Sequence, residues 1–195
     1  MGNEYQGTKF KTNLSKRAIT SSAIKEIQYW AALFARNNCA PALPGGYGGN
    51  LSCREADTFL ITASGANLAD LEPDQIVKVN KVSQDEQTVW AEGTHLPSSE
   101  TLLHAAIYRT RPEINAIFHG HYPVFEDNFT KLGIPITSEA AEYGSMKLVN
   151  DVLAILGKEK FLLLRNHGFI SLGETCKEAG ENVIRVCNRL NICLT

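Results

Sequence analysis

The stretch Ala116-Ile117-Phe118-His119-Gly120-His121 begins apolar and ends on two histidines two residues apart. An apolar run of this length, bounded by Pro112 and Pro123, reads as a strand entering a buried sheet. Side chains alternate across a strand with period two, so the imidazoles of His119 and His121 leave the same face and can converge on one ion. Taken alone, the pair also fits an ordinary hydrogen-bonded feature of an edge strand.

On the N-terminal side, Ser98 and Ser99 precede a helix expected from about Glu100 to Thr110. Leu103, Ala106 and Ile107 would face the core, and Pro112 forbids continuation. Val77 to Asn80 and Thr88 to Glu92 read as a hairpin joined by the polar turn Gln84 to Gln87, with a helical turn expected near Pro73. Leu51 to Arg54 and Thr58 to Thr62 are short strands behind a glycine-rich loop from Pro41 to Asn50. Ile24, Ile27, Ala31 and Phe34 recur at helical spacing after the caps Ser21 and Ser22. Residues 1–20 are polar and aperiodic, and a poorly ordered or loosely packed segment is expected there.

On the C-terminal side, Pro123 to Lys131 is expected as a helix closed by Gly133, and Ile134 to Ile136 as a short strand. Leu148, Val149, Val152, Ile155 and Leu156 form the face of a longer helix ended by Gly157. Phe161 to Leu164 is an apolar strand and Gly168 to Leu172 continues extended. Thr175 with Glu178 then makes a capping box for a last helix carrying Ala179, Val183, Cys187, Leu190 and Leu194. Strands and helices interleave, several strands being joined by short turns, so the expected class is α/β, helices packed on a mixed sheet, in a single domain spanning 1–195.

The chain has 195 residues, 44% hydrophobic and 21% charged, enough for one continuous core. A net charge of -2 supplies no basic field for a nucleic-acid backbone or an anionic membrane. No apolar run approaches a membrane span or a signal-peptide core, so a soluble, cytoplasmic chain with a small-molecule or protein partner is expected. The five cysteines are odd in number and form no Cys-x-x-Cys pair, which argues for reduced thiols.

His167, at the end of another strand and followed by Gly168, is the natural third imidazole beside His119 and His121. Three neutral imidazoles suit Zn2+ first, with Mn2+, Co2+ or Fe2+ as substitutes. His95 has a weaker claim, and His104, one turn beyond Glu100, is expected as a hydrogen-bond partner behind the ligands. Glu100, at a helix start near unpaired backbone donors, can serve proton transfer, although the helix dipole favours a glutamate there on structural grounds alone. The loops Gly45 to Asn50, Thr62 to Gly65 and Leu96 to Ser99 offer N–H groups and hydroxyls that can bind phosphate without lysine. Each taken singly also reads as a turn or a cap. There is no P-loop, dinucleotide fingerprint or Gly-x-Ser-x-Gly elbow.

The ordered series Gly49-Asn50-Leu51-Ser52, Leu60-Ile61-Thr62-Ala63-Ser64-Gly65, Pro97-Ser98-Ser99-Glu100, His119-Gly120-His121 and Asn166-His167-Gly168 resembles the class II aldolase/adducin family. The likeness is greatest to its L-fuculose-phosphate aldolase branch and runs from about Ala23 to the C-terminus. It implies a three-layer α/β/α sandwich around a mixed, mostly antiparallel sheet of about nine strands. It implies zinc on His119, His121 and His167, Glu100 as catalytic acid/base, and the substrate phosphate held by Asn50, Ser64, Gly65, Ser98 and Ser99. It also implies a homotetramer with interfacial active sites, cleaving a ketose 1-phosphate into dihydroxyacetone phosphate and an aldehyde. Pentulose-phosphate 4-epimerases, a methylthioribulose-1-phosphate dehydratase and non-catalytic adducin-like modules share the family and stand as alternatives. The epimerases carry aspartate where this chain has Glu100. Fuculose aldolases of the family use a tyrosine from a neighbouring subunit and a C-terminal tail over the site. Tyr143 is the candidate counterpart of that tyrosine, and the chain stops at Thr195 with its last helix.

Overall fold

The structure, a computed structural model, describes residues 9–195. Its frame is an eight-stranded sheet: β1 (Lys11–Lys16), β4 (Gly49–Glu55), β5 (Thr58–Thr62), β6 (Ile76–Val82), β7 (Thr88–Gly93), β8 (Ala116–Gly120), β9 (Phe161–Leu164) and β10 (Gly168–Gly173). In space they run β1-β7-β6-β5-β4-β8-β10-β9, and among these described strands only the β1–β7 pair is parallel. A separate two-stranded ribbon, β2 (Ala42–Leu43) with β3 (Gly46–Tyr47), fills the glycine-rich loop. Eight strands plus this ribbon stand where about nine were expected.

Helices α1 (Ala23–Arg36) and α6 (Cys176–Arg189) cover one face of the sheet. Helices α2 (Thr101–Thr110) and α5 (Met146–Leu156) pack on each other over the opposite face, giving three layers. The alternation along β8 separates the two sides. Phe118 meets Phe34 of α1 with ring centroids 5.8 Å apart, in an aromatic cluster with Trp30, Phe169 and Phe125. His119, one residue on, points to the α2 side. In the paired register Asn50 lies opposite His119 and Ser52 opposite Ile117, so these four side chains share that side.

Several local expectations need correction. The polar stretch read as aperiodic holds β1, an edge strand half-buried at alternate positions; residues 1–8 of that stretch lie outside the described residues. Pairing with β7, a tertiary contact, supplies the order that its composition lacks. The helix expected over Pro123 to Lys131 breaks at Asn128 into α3 (Pro123–Asp127) and α4 (Phe129–Leu132). Ile134 to Ile136 contributes only an isolated bridge from Ile136 to Leu163. The last helix ends at Arg189, leaving Leu190 and Leu194 beyond it. Thr175 does cap α6, accepting from the Glu178 N–H at 3.1 Å, while the Glu178 carboxylate accepts from the N–H of Glu174. Among the described residues no helix is long and apolar enough to cross a membrane.

Two glycines set how closely the site-bearing strands approach. A Cβ at Gly120 would stand 2.2 Å from the Cys39 carbonyl oxygen and 2.8 Å from the Phe169 ring; one at Gly168 would stand 2.2 Å from the Gly120 carbonyl oxygen. Backbone atoms cannot yield as a side-chain tip would. Gly120→Ala is therefore expected to lower unfolding free energy by about 1–3 kcal/mol, the usual cost of overpacking, read by chemical denaturation; an unchanged midpoint would contradict this packing.

Candidate active site

His119 is 1% exposed on β8, His121 follows the end of that strand, and His167 sits in the turn between β9 and β10. The turn is shaped by Asn166, in the left-handed region at φ 53°, a conformation Asn tolerates better than most residues. It closes with the His167 N–H donating to the Leu164 carbonyl at 3.0 Å. The three imidazoles converge: ring centroids lie 5.0 Å apart for His119–His121 and 4.8 Å for each pair with His167. Their candidate ligand atoms all lie within 4.8 Å of one another, a group that could hold a metal ion.

Glu100 completes the cluster from the opposite layer. Only 2% exposed, it is the residue immediately before α2, and Ser98 positions it by accepting the Glu100 N–H on its hydroxyl at 3.3 Å. Its Oε2 lies 3.2 Å from His119 Nε2 and its Oε1 3.4 Å from His167 Nε2, while His121 Nε2 is 3.1 Å from His119 Nε2. Donors bound to one ion at roughly 2.0–2.1 Å in a tetrahedron stand roughly 3.3 Å from each other, so the observed spacings suit a shared cation. The chemistry of the set agrees. His119 Nδ1 lies 2.8 Å from the Phe169 carbonyl, which accepts only from an N–H, so the lone pair is on Nε2 and faces the cluster.

Electrostatics keep the ligating forms. Burial, with the charge of His167 adding to it, pushes His119 down to about 3. Burial, then His119 and His167, pushes His121 down to about 3 as well. Neutral imidazole is the form that binds a metal.

A cavity of about 780 Å³ opens above this floor. Asn50, Ser64, Gly65, Ser98, Ser99, Glu100, His119, His121, Tyr143 and His167 all line it, so the structure brings the expected site residues together. Two of the expected phosphate loops are tied to each other: the Ser64 N–H donates to the Leu96 carbonyl at 2.9 Å and the Ser98 N–H to the Thr62 carbonyl at 3.2 Å. Those two amides are thus engaged, and the N–H groups of Gly65 and Ser99 have no partner among the described residues. Asn50 is also engaged, donating from Nδ2 to Glu100 Oε2 at 3.1 Å, with its Oδ1 left buried and unpartnered.

Tyr143 lines its own chain's cavity, under the Lys9 ammonium at 5.1 Å from the ring centroid. His104 is fully buried behind Glu100, and His95 stands apart, its Nε2 3.6 Å from Asp74. Leu43, Pro44, Tyr47, Ala141 and Asn166 line the cavity without having been singled out as site residues. The wall from Leu43 to Tyr47 belongs to the β2–β3 ribbon, whose glycines were the available signal.

A family model described as Class II Aldolase and Adducin N-terminal domain matches residues 25–125 and 123–194. The 5-methylthioribulose-1-phosphate/5-deoxyribulose-1-phosphate aldolase of Rhodospirillum rubrum is 34% identical over 168 residues, covering 78% of this chain and 73% of its own. The L-fuculose phosphate aldolase of Haemophilus influenzae is 30% identical over 149 residues, 69% of this chain and 66% of that one. Among solved structures, an L-fuculose 1-phosphate aldolase superposes with a TM-score of 0.70 at 22% identity, over 89% of this chain and 84% of that one. The chain belongs to the class II aldolase and adducin family, on its aldolase, carbon–carbon lyase side. Class II aldolases depend on a metal.

Burial pushes His104 down to about 3, the nearby Glu100 charge opposing it only in part. In the unfolded chain the same group titrates near its ordinary 6.5. Between pH 6.5 and about 3 the unfolded state therefore binds a proton that the fold refuses, and stability falls as pH drops. Metal-free protein is expected to lose up to about 1.4 kcal/mol per pH unit from His104 alone in that window, a slope that His104→Gln removes. Denaturation at pH 7 and pH 5 of both proteins measures it; equal slopes would contradict the neutral buried imidazole.

Proposed function

We propose that this chain is a zinc-dependent aldolase that cleaves a ketose 1-phosphate into dihydroxyacetone phosphate and an aldehyde, with 5-deoxyribulose 1-phosphate as a representative substrate. The observation that carries this reading is the Glu100 carboxylate 3.2 Å from His119 Nε2 and 3.4 Å from His167 Nε2 at the floor of the cavity. His119, His121 and His167 would hold Zn2+, or Mn2+, Co2+ or Fe2+ in its place. A divalent ion bound there supplies a Lewis acid for the substrate's carbonyl oxygen.

The residues of the chain do the rest. Gly65 and Ser99 N–H groups, with the Ser64, Ser98 and Ser99 hydroxyls, bind the phosphate and fix which carbon lies over the floor. Asn50 steadies the carboxylate of Glu100 through its amide. Glu100 accepts the proton of the C4 hydroxyl as the C3–C4 bond breaks, the electron pair moving toward the C2 carbonyl, and returns that proton to C3. C4 leaves as the aldehyde carbon, so atoms balance without a co-reactant. Leu43, Pro44, Tyr47, Ala141 and Tyr143 give the cavity a largely apolar stretch of wall beside Glu142 and Asn166. That wall supports a substrate ending in a methyl or alkylthio group, and the name of the Rhodospirillum rubrum relative supports the same class. Cytoplasmic location and a homotetramer with sites at subunit interfaces belong to this reading, supported by five unpaired cysteines and by Leu43, 46% exposed at the cavity wall.

Zinc-loaded protein is expected to release dihydroxyacetone phosphate from 5-deoxyribulose 1-phosphate, with L-fuculose 1-phosphate and a pentulose phosphate as comparison substrates. Epimer formation or loss of water instead would move the chain to the epimerase or dehydratase alternative. Glu100→Gln is expected to lower kcat about 10²–10⁴-fold, the usual worth of a positioned acid/base. If no phosphorylated substrate turns over and Glu100→Gln behaves like the parent, an adducin-like binding role replaces the catalytic one.

A further inference from the structure

The ring of His119 is tethered through Nδ1, 2.8 Å from the Phe169 carbonyl. His167 has no such tether: its Nδ1 is buried with no hydrogen-bond partner among the described residues. Its backbone and its packing are left to aim Nε2 at the cluster. That backbone is the turn between β9 and β10, with Asn166 in the left-handed region at φ 53°. Three successive N–H groups of the turn are engaged. Arg165 donates to Thr137 Oγ1 at 2.9 Å, Asn166 to Glu126 Oε2 at 2.8 Å, and His167 to the Leu164 carbonyl at 3.0 Å. Only the last of these bonds is made within the turn itself.

The two outside acceptors come from different places. Thr137 is buried and docked on β9, its own N–H donating to the Leu163 carbonyl at 3.0 Å. Glu126 belongs to α3, which starts at Pro123, just after His121. Its carboxylate therefore bridges the segment running on from His121 to the turn that carries His167. Glu126 also faces Arg165, whose Nη1 is 3.6 Å from Oε1 and whose guanidinium lies 5.3 Å from the Phe129 ring centroid. An ion pair that long and partly exposed contributes little. The bond from the Asn166 N–H to a carboxylate is charge-assisted and much shorter. A non-glycine residue in the left-handed region persists where its surroundings over-determine it, and Glu126 supplies the contact made at Asn166 itself.

We propose that Glu126 is a positioning residue for the metal centre: by accepting the Asn166 N–H, its carboxylate holds the left-handed turn that aims His167 at the ion. The proposal rests on the reading of His119, His121 and His167 as the ligands. Glu126 does not line the cavity, so it acts through the turn and not on the substrate.

Zinc affinity of the full chain, measured by competition with a chromophoric chelator, tests this, with amide hydrogen exchange as a second readout. Glu126→Ala should weaken zinc binding about 10–100-fold, the usual worth of a partner behind a ligand. In metal-free protein it should also speed exchange of the Asn166 amide, while the amide of Ile170, paired on both sides in β10, exchanges as in the parent. Glu126→Gln keeps a carbonyl oxygen for that N–H and should recover most of the zinc affinity. Arg165→Ala removes the ion pair, leaves the acceptor and should bind zinc like the parent. An Asn166 amide that exchanges in the parent at the rate of an unprotected amide overturns the proposal even if no variant folds. Parental zinc affinity in Glu126→Ala, while His167→Ala binds weakly, overturns it too, as does a loss in Arg165→Ala equal to that in Glu126→Ala. Failure of the underlying reading looks different: His167→Ala then binds zinc as tightly as the parent, leaving Glu126 nothing to position.

Discussion

Three imidazole nitrogens and a carboxylate crowd together at the floor of the cavity, and the rest of the architecture serves that crowding. Without a cation, the lone pair of His119 Nε2 faces the Glu100 carboxylate at 3.2 Å, with His121 Nε2 3.1 Å away. Burying such polar groups is costly unless each finds a partner. The fold supplies some partners directly: the Phe169 carbonyl for His119, the Asn50 amide for Glu100. The Nε2 atoms of His119 and His167 and the Glu100 carboxylate oxygens face one another, where one divalent ion would bind between them.

The sheet makes the crowding permanent. β8 lies between β4 and β10, so His119 is held by ladders on both sides, and Gly120 and Gly168 let those ladders draw close. Behind them Phe34, Phe118, Phe125 and Phe169 pack edge to face, a stiff aromatic backing for the strands that carry the ligands. The α2 layer brings Glu100 down on the other side, and its stripe of Glu100, His104 and Tyr108 matches the two-residue step of β4. Helix period and strand period thus meet at Asn50, which pairs with Glu100, and at Ser52, which pairs with His104 and Tyr108.

Much of this was legible in the amino acids. His119 and His121 could be placed on one face by strand alternation alone, and Pro112, Gly157 and Thr175 marked element ends that the structure keeps. The ordered motifs brought Asn50, Ser64, Ser98 and His167 into one family pattern, and all of them line the cavity. What stayed hidden depends on tertiary contact. Lys11–Lys16 is a strand only because β7 offers an edge, and nothing in a polar hexapeptide announces that. The pairing of Ser64 with Leu96, and so the engagement of amides that looked open to phosphate, requires two loops more than thirty residues apart to meet. The Ser52 hydroxyl meets both His104 and Tyr108, a contact that no spacing in the sequence announces.

The claim on which the account turns is that His119, His121 and His167 share one ion with an oxygen donor beside them. X-ray absorption at the metal edge of zinc-loaded protein measures this without reference to turnover. The account predicts three imidazole nitrogens at roughly 2.0–2.1 Å with oxygen completing the shell, falling to two imidazoles in His167→Ala. Sulfur ligation, or an imidazole count that His167→Ala leaves unchanged, would contradict it.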